Sequence, residues 1–438
     1  MRISMLLVAG LVACTSDTED DGTTPMPDPD PVVEATTFEV TITSVGEAFD
    51  FVVSGAFATP DGGDGPAPIG PGGSYTFTVD AGPGQRLSLA TMFVQSNDIF
   101  IAPGPDGIAL WDENGAIEGD LTSQLSYWDA GTEADEEPGV GVNQAPRQPM
   151  ANTGDADPDP NVRAIPDTGL LAVADLVSLT STHLGDGTFE IVLANVSAMG
   201  ALATSEGGVT VPLSPGVWAV HSASGALFET GVAAPPGLEE IAEDGSPTVM
   251  ADALATRTGL TTPFAPGAYA VYTDENPLWT TGEVDAGLGL EALAEDGAAA
   301  DLGAVPERGG AFDTPVGGDA PGPILPGGSY RFTFEAMPGD LLTFATMLVQ
   351  SNDAFVGVEG LALFDGDTPL SGDFTAEVNL YDAGTEVNQR PGTGPDQAPR
   401  QAGPDTGADE SLAIGPVADG FTYPAIPDLL ELTVTALP

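Results

Sequence analysis

Residues 341–355 read LLTFATMLVQSNDAF, and this stretch indicates how the chain folds. Residues 341–350 are apolar on both faces for most of their length, which is typical of a central strand buried between a sheet and a covering layer. The polar SND that follows ends the strand at an open edge. An almost identical phrase, ATMFVQSNDIF, stands earlier in the chain at residues 90–100. The repetition predicts two copies of one module.

The resemblance between the copies extends well beyond this phrase. Three further pairs of segments match in the same order, namely 57–84 with 312–339, LSYWDAGTE (125–133) with VNLYDAGTE (378–386), and NQAPRQ (143–148) with DQAPRQ (396–401). TFEVTITSV at 37–45 also resembles TFEIVLANV at 188–196, and each reads as an alternating strand that opens a domain. We therefore predict a first copy at 37–186 and a second copy at 187–438.

The predicted second copy is longer because it contains a segment at 214–297 that is itself duplicated. SPGVWAVHSASGALFETG resembles APGAYAVYTDENPLWTTG, and GLEEIAEDG resembles GLEALAEDG. Each unit reads as a strand, a polar turn and a second strand, followed by a short helix that ends at Gly. The acids of the first such helix, Glu239, Glu243 and Asp244, are expected to form a solvated face.

Most other segments are short runs rich in Val, Thr, Phe and Leu, separated by clusters of Gly and Pro such as PGGS and MPGD. This alternation is typical of antiparallel β-sandwiches. The sequence therefore predicts an all-β chain of two sandwich domains, with short helices in the second.

The first residues carry a secretion and lipidation pattern. Arg2 precedes a short apolar run that ends in LVAC at 11–14 and resembles the bacterial lipobox. The run is too short to span a bilayer as a helix. The resemblance implies a signal peptide cleaved before Cys14 and a lipid anchor on Cys14 in the cell envelope, and Thr15 after it favours the outer membrane or cell surface. The alternative is an ordinary cleaved signal with a spare cysteine.

Two more features of composition bear on the mature chain. Residues 15–36 are rich in acids, Thr and Pro, and they predict a disordered acidic tether. Cys14 is the only cysteine, so no intrachain disulfide can form.

The formal net charge of −57 comes from 66 acids against nine basic residues. Such a charge excludes nucleic acid as a partner and argues against adhesion to anionic membranes through a basic patch. We therefore expect contact with the membrane through the lipid anchor only. The charge is compatible with a salty environment or with divalent cations that screen the surface.

The sequence does not favour an enzyme. The chain has only two histidines, His183 and His221, at unrelated positions, and no Gly-x-Ser-x-Gly motif, which argues against a Ser-His-Asp site. Neither histidine recurs between the copies, which argues against zinc. No pair of acids is singled out as the pair that glycoside hydrolysis needs.

Four aspartates recur between the copies at the ends of predicted strands. Asp98 matches Asp353 after the VQSN phrase, and Asp129 matches Asp382 in the DAGTE phrase. Calcium binds several carboxylate and carbonyl oxygens, which the loops at one end of a sandwich can supply. Asn-Asp and Asp-Ala-Gly-Thr also form turns through bonds to their own backbone. Both interpretations stand at this point.

At these residues the sequence resembles the spondin domain family of extracellular matrix proteins. The phrases that carry the resemblance are ATMLVQSNDAFVGV, NLYDAGTEVN and DGFTYPAIPDLLELTV at 419–434. The resemblance implies a C2-like β-sandwich with one calcium ion per domain, bound by Asp353 and Asp382 in the second copy and by Asp98 and Asp129 in the first. The further ligand candidates are Glu335, Asp80, Glu386 and Glu133.

A doubled module favours a binding function, because two weak sites on one tether gain avidity without new contacts. The leading hypothesis is a surface-anchored, calcium-dependent adhesion protein whose partner is an extracellular matrix, glycan or cell-surface ligand. The alternatives are a structural envelope protein with fold-stabilising calcium and a carbohydrate-active enzyme.

Overall fold

The computed structural model describes residues 34–438. The predicted signal peptide at 1–14, the lipidation of Cys14 and nearly all of the predicted tether at 15–36 lie outside these residues. The first strand begins at Thr36. Within the described part of the chain, no helix has the length and apolar character needed to cross a membrane.

The strands fall into three consecutive groups. The first group is a single strand, β1 (Thr36–Ser44). The second group contains β2 (Phe51–Phe57), β3 (Ser74–Asp80), β4 (Arg86–Phe93), β5 (Ile99–Pro103), β6 (Ile108–Ala109), β7 (Trp111–Asp112), β8 (Gly115–Ala116), β9 (Gly119–Asp120), β10 (Leu125–Asp129), β11 (Arg163–Ala164), β12 (Val177–Gly185), β13 (Thr188–Asn195), β14 (Leu202–Thr204), β15 (Gly207–Val209) and β16 (Leu213–His221). The third group contains β17 (Phe264–Tyr272), β18 (Gly309–Phe312), β19 (Ser329–Ala336), β20 (Leu341–Leu348), β21 (Ala354–Ala362), β22 (Phe364–Asp365), β23 (Thr368–Pro369), β24 (Gly372–Asp373), β25 (Asn379–Asp382), β26 (Gly415–Pro416) and β27 (Leu430–Ala436).

The helices are short and lie between strands. The α-helices are α1 (Val173–Leu176), α2 (Leu238–Asp244), α3 (Thr248–Ala255), α4 (Leu290–Asp296), α5 (Ala300–Gly303) and α6 (Ile426–Leu429). Two single 3₁₀ turns, Thr122–Gln124 and Thr375–Glu377, precede β10 and β25.

The second group of strands forms the first sandwich. Its inner sheet has the order β11-β10-β5-β4-β16-β2, and its outer sheet has the order β3-β13-β12-β9. Buried side chains such as Tyr75, Phe93 and Phe189 fill the space between the sheets. Helices α2 and α3 cover the opposite face of the inner sheet with apolar residues that include Ile241 and Met250. The inner sheet is therefore buried on both faces.

The second sandwich repeats this arrangement with β1 and the third group of strands. Its inner sheet has the order β18-β17-β20-β21-β25-β26, and its outer sheet has the order β19-β1-β27-β24. Phe38, Tyr330 and Phe344 lie in the core between them, and α4 and α5 cover the other face of the inner sheet. The prediction of an all-β chain of antiparallel sandwiches is confirmed. Strand β20 is apolar on both faces because it lies in the middle of these three layers.

The strand pairing differs from the predicted division between 37–186 and 187–438. Strand β1, expected to open the first copy, pairs with β19 and β27 of the second sandwich. Strand β13, expected to open the second copy, pairs with β3 and β12 of the first. The first sandwich is thus inserted between β1 and β17 of the second. Both β1 and β13 alternate buried and half-buried residues along their length, so the pattern of either strand fits either outer sheet.

The duplicated segment at 214–297 is also shared between the sandwiches. Strand β16 pairs with β2 and β4, and α2 packs on the same sheet. Strand β17 pairs with β18 and β20, and α4 packs on that sheet. Each sandwich therefore has its own strand and helix pair. The expected insert in the second copy, and the expected restriction of helices to that copy, are not observed.

The second sandwich contacts the first through the loop after β25. Gln85 Nε2 donates to the carbonyl oxygen of Gly392 at 2.8 Å. Arg390 forms an ion pair with Asp80 at 2.9 Å. Asp80, a predicted ligand candidate, is therefore paired with an arginine at the contact between the sandwiches.

Candidate metal centres

Each sandwich places its repeated Ser-Asn-Asp phrase in the turn between two central strands of the inner sheet. In the second sandwich, Ser351 Oγ donates to the carbonyl oxygen of Leu348 at 2.6 Å and accepts from the backbone N–H of Ala354 at 3.2 Å. Ser96 makes the same two types of bond in the first sandwich. The serine closes the turn, so the aspartate that follows Asn stands immediately before the next strand.

Asp353 is fully buried, and one of its carboxylate oxygens binds the next loop. Its Oδ2 accepts from the backbone N–H of Thr385 at 2.8 Å, from Thr385 Oγ1 at 3.3 Å and from the backbone N–H of Glu386 at 3.2 Å. Its Oδ1 has no hydrogen-bond partner. A buried carboxylate oxygen without a partner is costly. Asp353 Oδ1 is therefore the oxygen that is free to bind a ligand.

Asp353 belongs to a group of three acids, which we name the second acid site. One carboxylate oxygen each of Asp353, Asp382 and Glu410 lies within 4.8 Å of the others. Asp382 Oδ1 also accepts from the backbone N–H of Gly384 at 2.7 Å, which closes the DAGT turn. A bond from the backbone N–H of Glu410 to the carbonyl oxygen of Thr385, 2.8 Å long, brings Glu410 to the site. Among the ion pairs of residues 34–438, none involves these three acids.

The electrostatics of the second acid site favour a bound cation. Burial and the neighbouring Asp382 carboxylate raise the pKa of Asp353 to about 6. Burial and Asp382 also raise the pKa of Glu410. Both effects disfavour the ionised forms, and a cation would offset them. Oxygen ligands without nitrogen or sulfur suit a hard ion such as calcium or magnesium. These residues therefore fit a hard divalent cation.

The first sandwich has an equivalent group, the first acid site, formed by Asp98, Asp129 and Asp135. Asp98 is fully buried, and its Oδ2 accepts from the backbone N–H and Oγ1 of Thr132 and from the backbone N–H of Glu133. Its Oδ1 has no hydrogen-bond partner. The structure thus brings together both repeated aspartates in each sandwich.

A basic side chain distinguishes the first acid site from the second. Arg163 Nη2 donates to Asp129 Oδ2 and to Asp157 Oδ2, the latter at 2.7 Å, and lies 3.9 Å from Asp135 Oδ2. Burial alone would lower the pKa of Arg163, but the hydrogen bond that it donates to Asp157 and the surrounding carboxylates raise that pKa. The guanidinium is therefore firmly charged within this group.

The remaining ligand candidates lie outside the acid groups of residues 34–438. Glu335 is exposed on β19, in the outer sheet of the second sandwich. Glu133 and Glu386 are buried, and their backbone N–H groups bind the buried aspartate of each site. Glu133 Oε1 accepts from the backbone N–H of Gly154 at 2.6 Å, whereas Glu386 Oε1 has no partner. These two glutamates support the loops of the acid sites.

The acids at the ends of α2 and α4 are more buried than expected. Glu243 is only 1% exposed, so the prediction that it lies on a solvated face is wrong. Burial raises the pKa of Glu243 to about 8 and that of Glu295 to about 7. The cause is the packing of each helix against the inner sheet and the acid-site loops. Glu295 also forms a third acid group with the exposed Glu291 and Asp405.

Other repeated residues hold the loops together, and sequence reasoning did not assign them this role. Asn352 Oδ1 accepts from the backbone N–H of Gln389 at 3.0 Å and from Gln397 Nε2 at 3.4 Å. Gln350 Oε1 accepts from Arg400 Nη1 at 2.8 Å. The VQSND and QAPRQ phrases recur together because their side chains bind each other. This joint repetition was the feature of the sequence that could have predicted the contacts.

No pattern in the sequence indicates that Glu410 and Arg163 belong to the acid sites. Neither lies in a repeated phrase, and each is placed at its acid site by backbone pairing far along the chain from the repeated aspartates. Only the folded structure identifies them.

The sequence matches no protein-family model, and no curated protein matches it. Functional assignment therefore depends on the geometry of the acid sites and on the motifs of the chain itself.

Proposed function

We propose that this protein is a calcium-binding adhesion protein of the cell envelope, with calcium bound by Asp353, Asp382 and Glu410. The observation that carries this proposal is Asp353 Oδ1, a buried oxygen without a partner in a group of three acids that no described basic residue neutralises. Calcium would supply the positive charge that these carboxylates lack, and oxygen ligands of this kind are those it prefers.

The adhesion role is supported by the arrangement of the chain. Two sandwiches with equivalent loops present two similar surfaces, which favours multivalent binding over catalysis. The phrase LVAC at 11–14, which resembles a lipobox, and the resemblance to spondin domains fit a protein held at the cell surface that binds a matrix, glycan or cell-surface ligand. The high negative charge favours ligands that are neutral, basic or bridged by calcium.

A structural role for calcium in the envelope is the second candidate, and one contact favours it. The carboxylate of Asp353 already fastens the loop at Thr385 and Glu386 to the inner sheet. An ion on its other oxygen would tighten the same connection without any external ligand.

A hydrolase is the least supported candidate. Ser88 Oγ and His221 Nε2 lie 2.8 Å apart, but both side chains are buried in the inner sheet, and His221 Nδ1 contacts the carbonyl oxygen of Ala223 rather than a carboxylate. Thr343 and Tyr272 make the equivalent contact in the second sandwich, at 3.2 Å. The pair is therefore better explained by sheet packing than by catalysis.

A binding screen with and without calcium tests the adhesion proposal. The mature chain, immobilised without its lipid, is screened against glycans and matrix proteins in calcium and in chelator. We expect ligands retained in calcium and lost in chelator, and lost in calcium for Asp353→Asn but not for the control Glu239→Gln. Ligands bound equally under all conditions would contradict the calcium dependence.

Thermal unfolding separates the structural candidate from the adhesion proposal. An ion that binds only the folded state stabilises it by about 2.7 kcal/mol at a concentration 100 times the Kd. Calcium-dependent melting without any calcium-dependent ligand would favour the structural role. Melting that is unchanged by chelator, with no metal found by elemental analysis, would contradict calcium binding altogether.

A further inference from the structure

The two acid sites are built on the same pair of strands but differ at one backbone position. In the first sandwich, Asp129 on β10 is paired with Arg163 on β11. In the second sandwich, Asp382 on β25 is paired with Gly415 on β26. The same position in the sheet therefore carries a guanidinium group in one site and no side chain in the other.

Arg163 is held in the first acid site by several groups at once. Its Nη2 has carboxylate oxygens of Asp129, Asp157 and Asp135 within 4.0 Å. Its Nη1 donates to the carbonyl oxygen of Asp159 at 2.9 Å. Hydrogen bonds between a guanidinium and carboxylates are among the strongest in proteins. The carboxylates of Asp129, Asp135 and Asp157 therefore have a cation supplied by the chain itself.

The second acid site has the same frame without this cation. Asp157 and Glu410 occupy equivalent places, because the backbone N–H of each donates to the carbonyl oxygen of the threonine in its DAGT phrase. Asn388 Nδ2 donates to Asp382 Oδ2 at 2.6 Å, as Arg163 does to the corresponding oxygen of Asp129. The amide of Asn388 is neutral, so it leaves the charge of the second acid site uncompensated.

We propose that Arg163 is the permanent cation of the first acid site, so that the protein takes up one exchangeable divalent cation, in the second sandwich, rather than two. The inference rests on the proposed calcium site at Asp353, Asp382 and Glu410. A tethered guanidinium loses less entropy on binding than a free ion does, and it occupies the oxygens of Asp129 and Asp157 that an ion would need. In this proposal, the ion-pair network of Arg163 takes the place, at Asp129, of the calcium ion predicted for the first copy, and Asp98 lies outside that network.

Exchange of the two residues tests this proposal. Calcium binding to the folded chain is measured by isothermal titration for the wild type, Arg163→Gly, Gly415→Arg and the double variant. The backbone at Gly415 accommodates a Cβ, which would lie at an ordinary contact distance of 3.9 Å from the carbonyl oxygen of Ala413. We expect one site in the wild type, two in Arg163→Gly, none in Gly415→Arg, and one in the double variant.

The variant Asp353→Asn separates this inference from the proposed function. Loss of all calcium binding in Asp353→Asn supports the inference about Arg163. If Asp353→Asn instead keeps one calcium site, and that site is lost when Asp98→Asn is added, the inference is overturned and the calcium proposal stays intact. A wild type that binds no calcium would overturn the proposed function itself. If Arg163→Gly fails to fold, as judged by circular dichroism, Gly415→Arg still decides, because unchanged binding in that variant contradicts the role of a guanidinium at this position.

Discussion

The insertion of one sandwich into the other makes a sharp prediction about Phe38 on β1. This side chain is fully buried, and its ring lies 5.9 Å from that of Phe334 and 5.4 Å from that of Phe364, both in the second sandwich. Truncation of a buried phenylalanine to alanine costs about 3–5 kcal/mol, because transfer energy is lost and a cavity remains. Phe38→Ala should therefore destabilise the second sandwich by this amount.

Hydrogen exchange measured by mass spectrometry locates the effect. Because each 1.4 kcal/mol is a factor of ten in an opening equilibrium, we expect exchange in β19 and β27 to accelerate on the order of 10² to 10³-fold. Strands β3 and β12 of the first sandwich should change much less, although they follow β1 more closely in sequence than β19 and β27 do.

Phe189 on β13 provides the matched control, because it is equally buried but lies in the outer sheet of the first sandwich. Phe189→Ala should accelerate exchange in β3 and β12 and leave β19 and β27 nearly unchanged. The opposite pattern for the two variants would refute the strand pairing and restore a division of the chain at residues 186 and 187.

Three further predictions concern an ion pair of the second sandwich, the second acid site and the expected lipid anchor. Burial would raise the pKa of Asp340, but hydrogen bonds from Arg308 and from a backbone N–H lower this pKa overall. The Asp340 carboxylate therefore contributes stability above its unfolded pKa of about 3.9, and this contribution is lost as the pH falls through the folded pKa. Asp340→Gln, which copies the first sandwich's glutamine at this position, removes the ion pair with Arg308 and should lower the free energy of unfolding by about 1 kcal/mol at neutral pH. Urea unfolding of this variant should depend less on pH in the acid range, and an unchanged pH profile would contradict a stabilising role of the ion pair. Asp353→Asn and Asp382→Asn should each weaken calcium binding in titrations. The double variant should lose less binding free energy than the sum of the single variants, because both residues would share one ion. Affinities equal to that of the wild type would remove these residues from the site. Cys14→Ala should release the protein from the membrane fraction on cell fractionation, and its retention there would contradict the lipid anchor.

The aspartates of the two acid sites could be predicted from the sequence because they lie in repeated phrases. Asp353 stands in the turn between β20 and β21, and Asp382 is the last residue of β25. Their counterparts Asp98 and Asp129 stand in the same repeated phrases. Local periodicity and turn residues predict that each of these phrases forms the end of a strand and a turn that carries an aspartate. The all-β character and the doubly buried strand at 341–348 follow from the same local patterns.

The structure alone decided which strands belong together. Strands β1 and β13 have nearly the same alternating pattern, and a pattern of this kind specifies a face of a sheet but not the identity of the neighbouring strand. The partners of β1 come from residues 329–336 and 430–436, so its placement depends on pairing across most of the chain.

The difference between the two acid sites also exists only in three dimensions. Arg163 and Gly415 lie in segments without a repeated phrase, and each meets its aspartate through pairing between short strands that are separated by a long loop. The sequence by itself determined the fold class and the repeated aspartates, because those depend on local periodicity and turn chemistry. The residue that faces the repeated aspartate, Arg163 in the first sandwich and Gly415 in the second, comes from a distant position, and only the tertiary structure decided that.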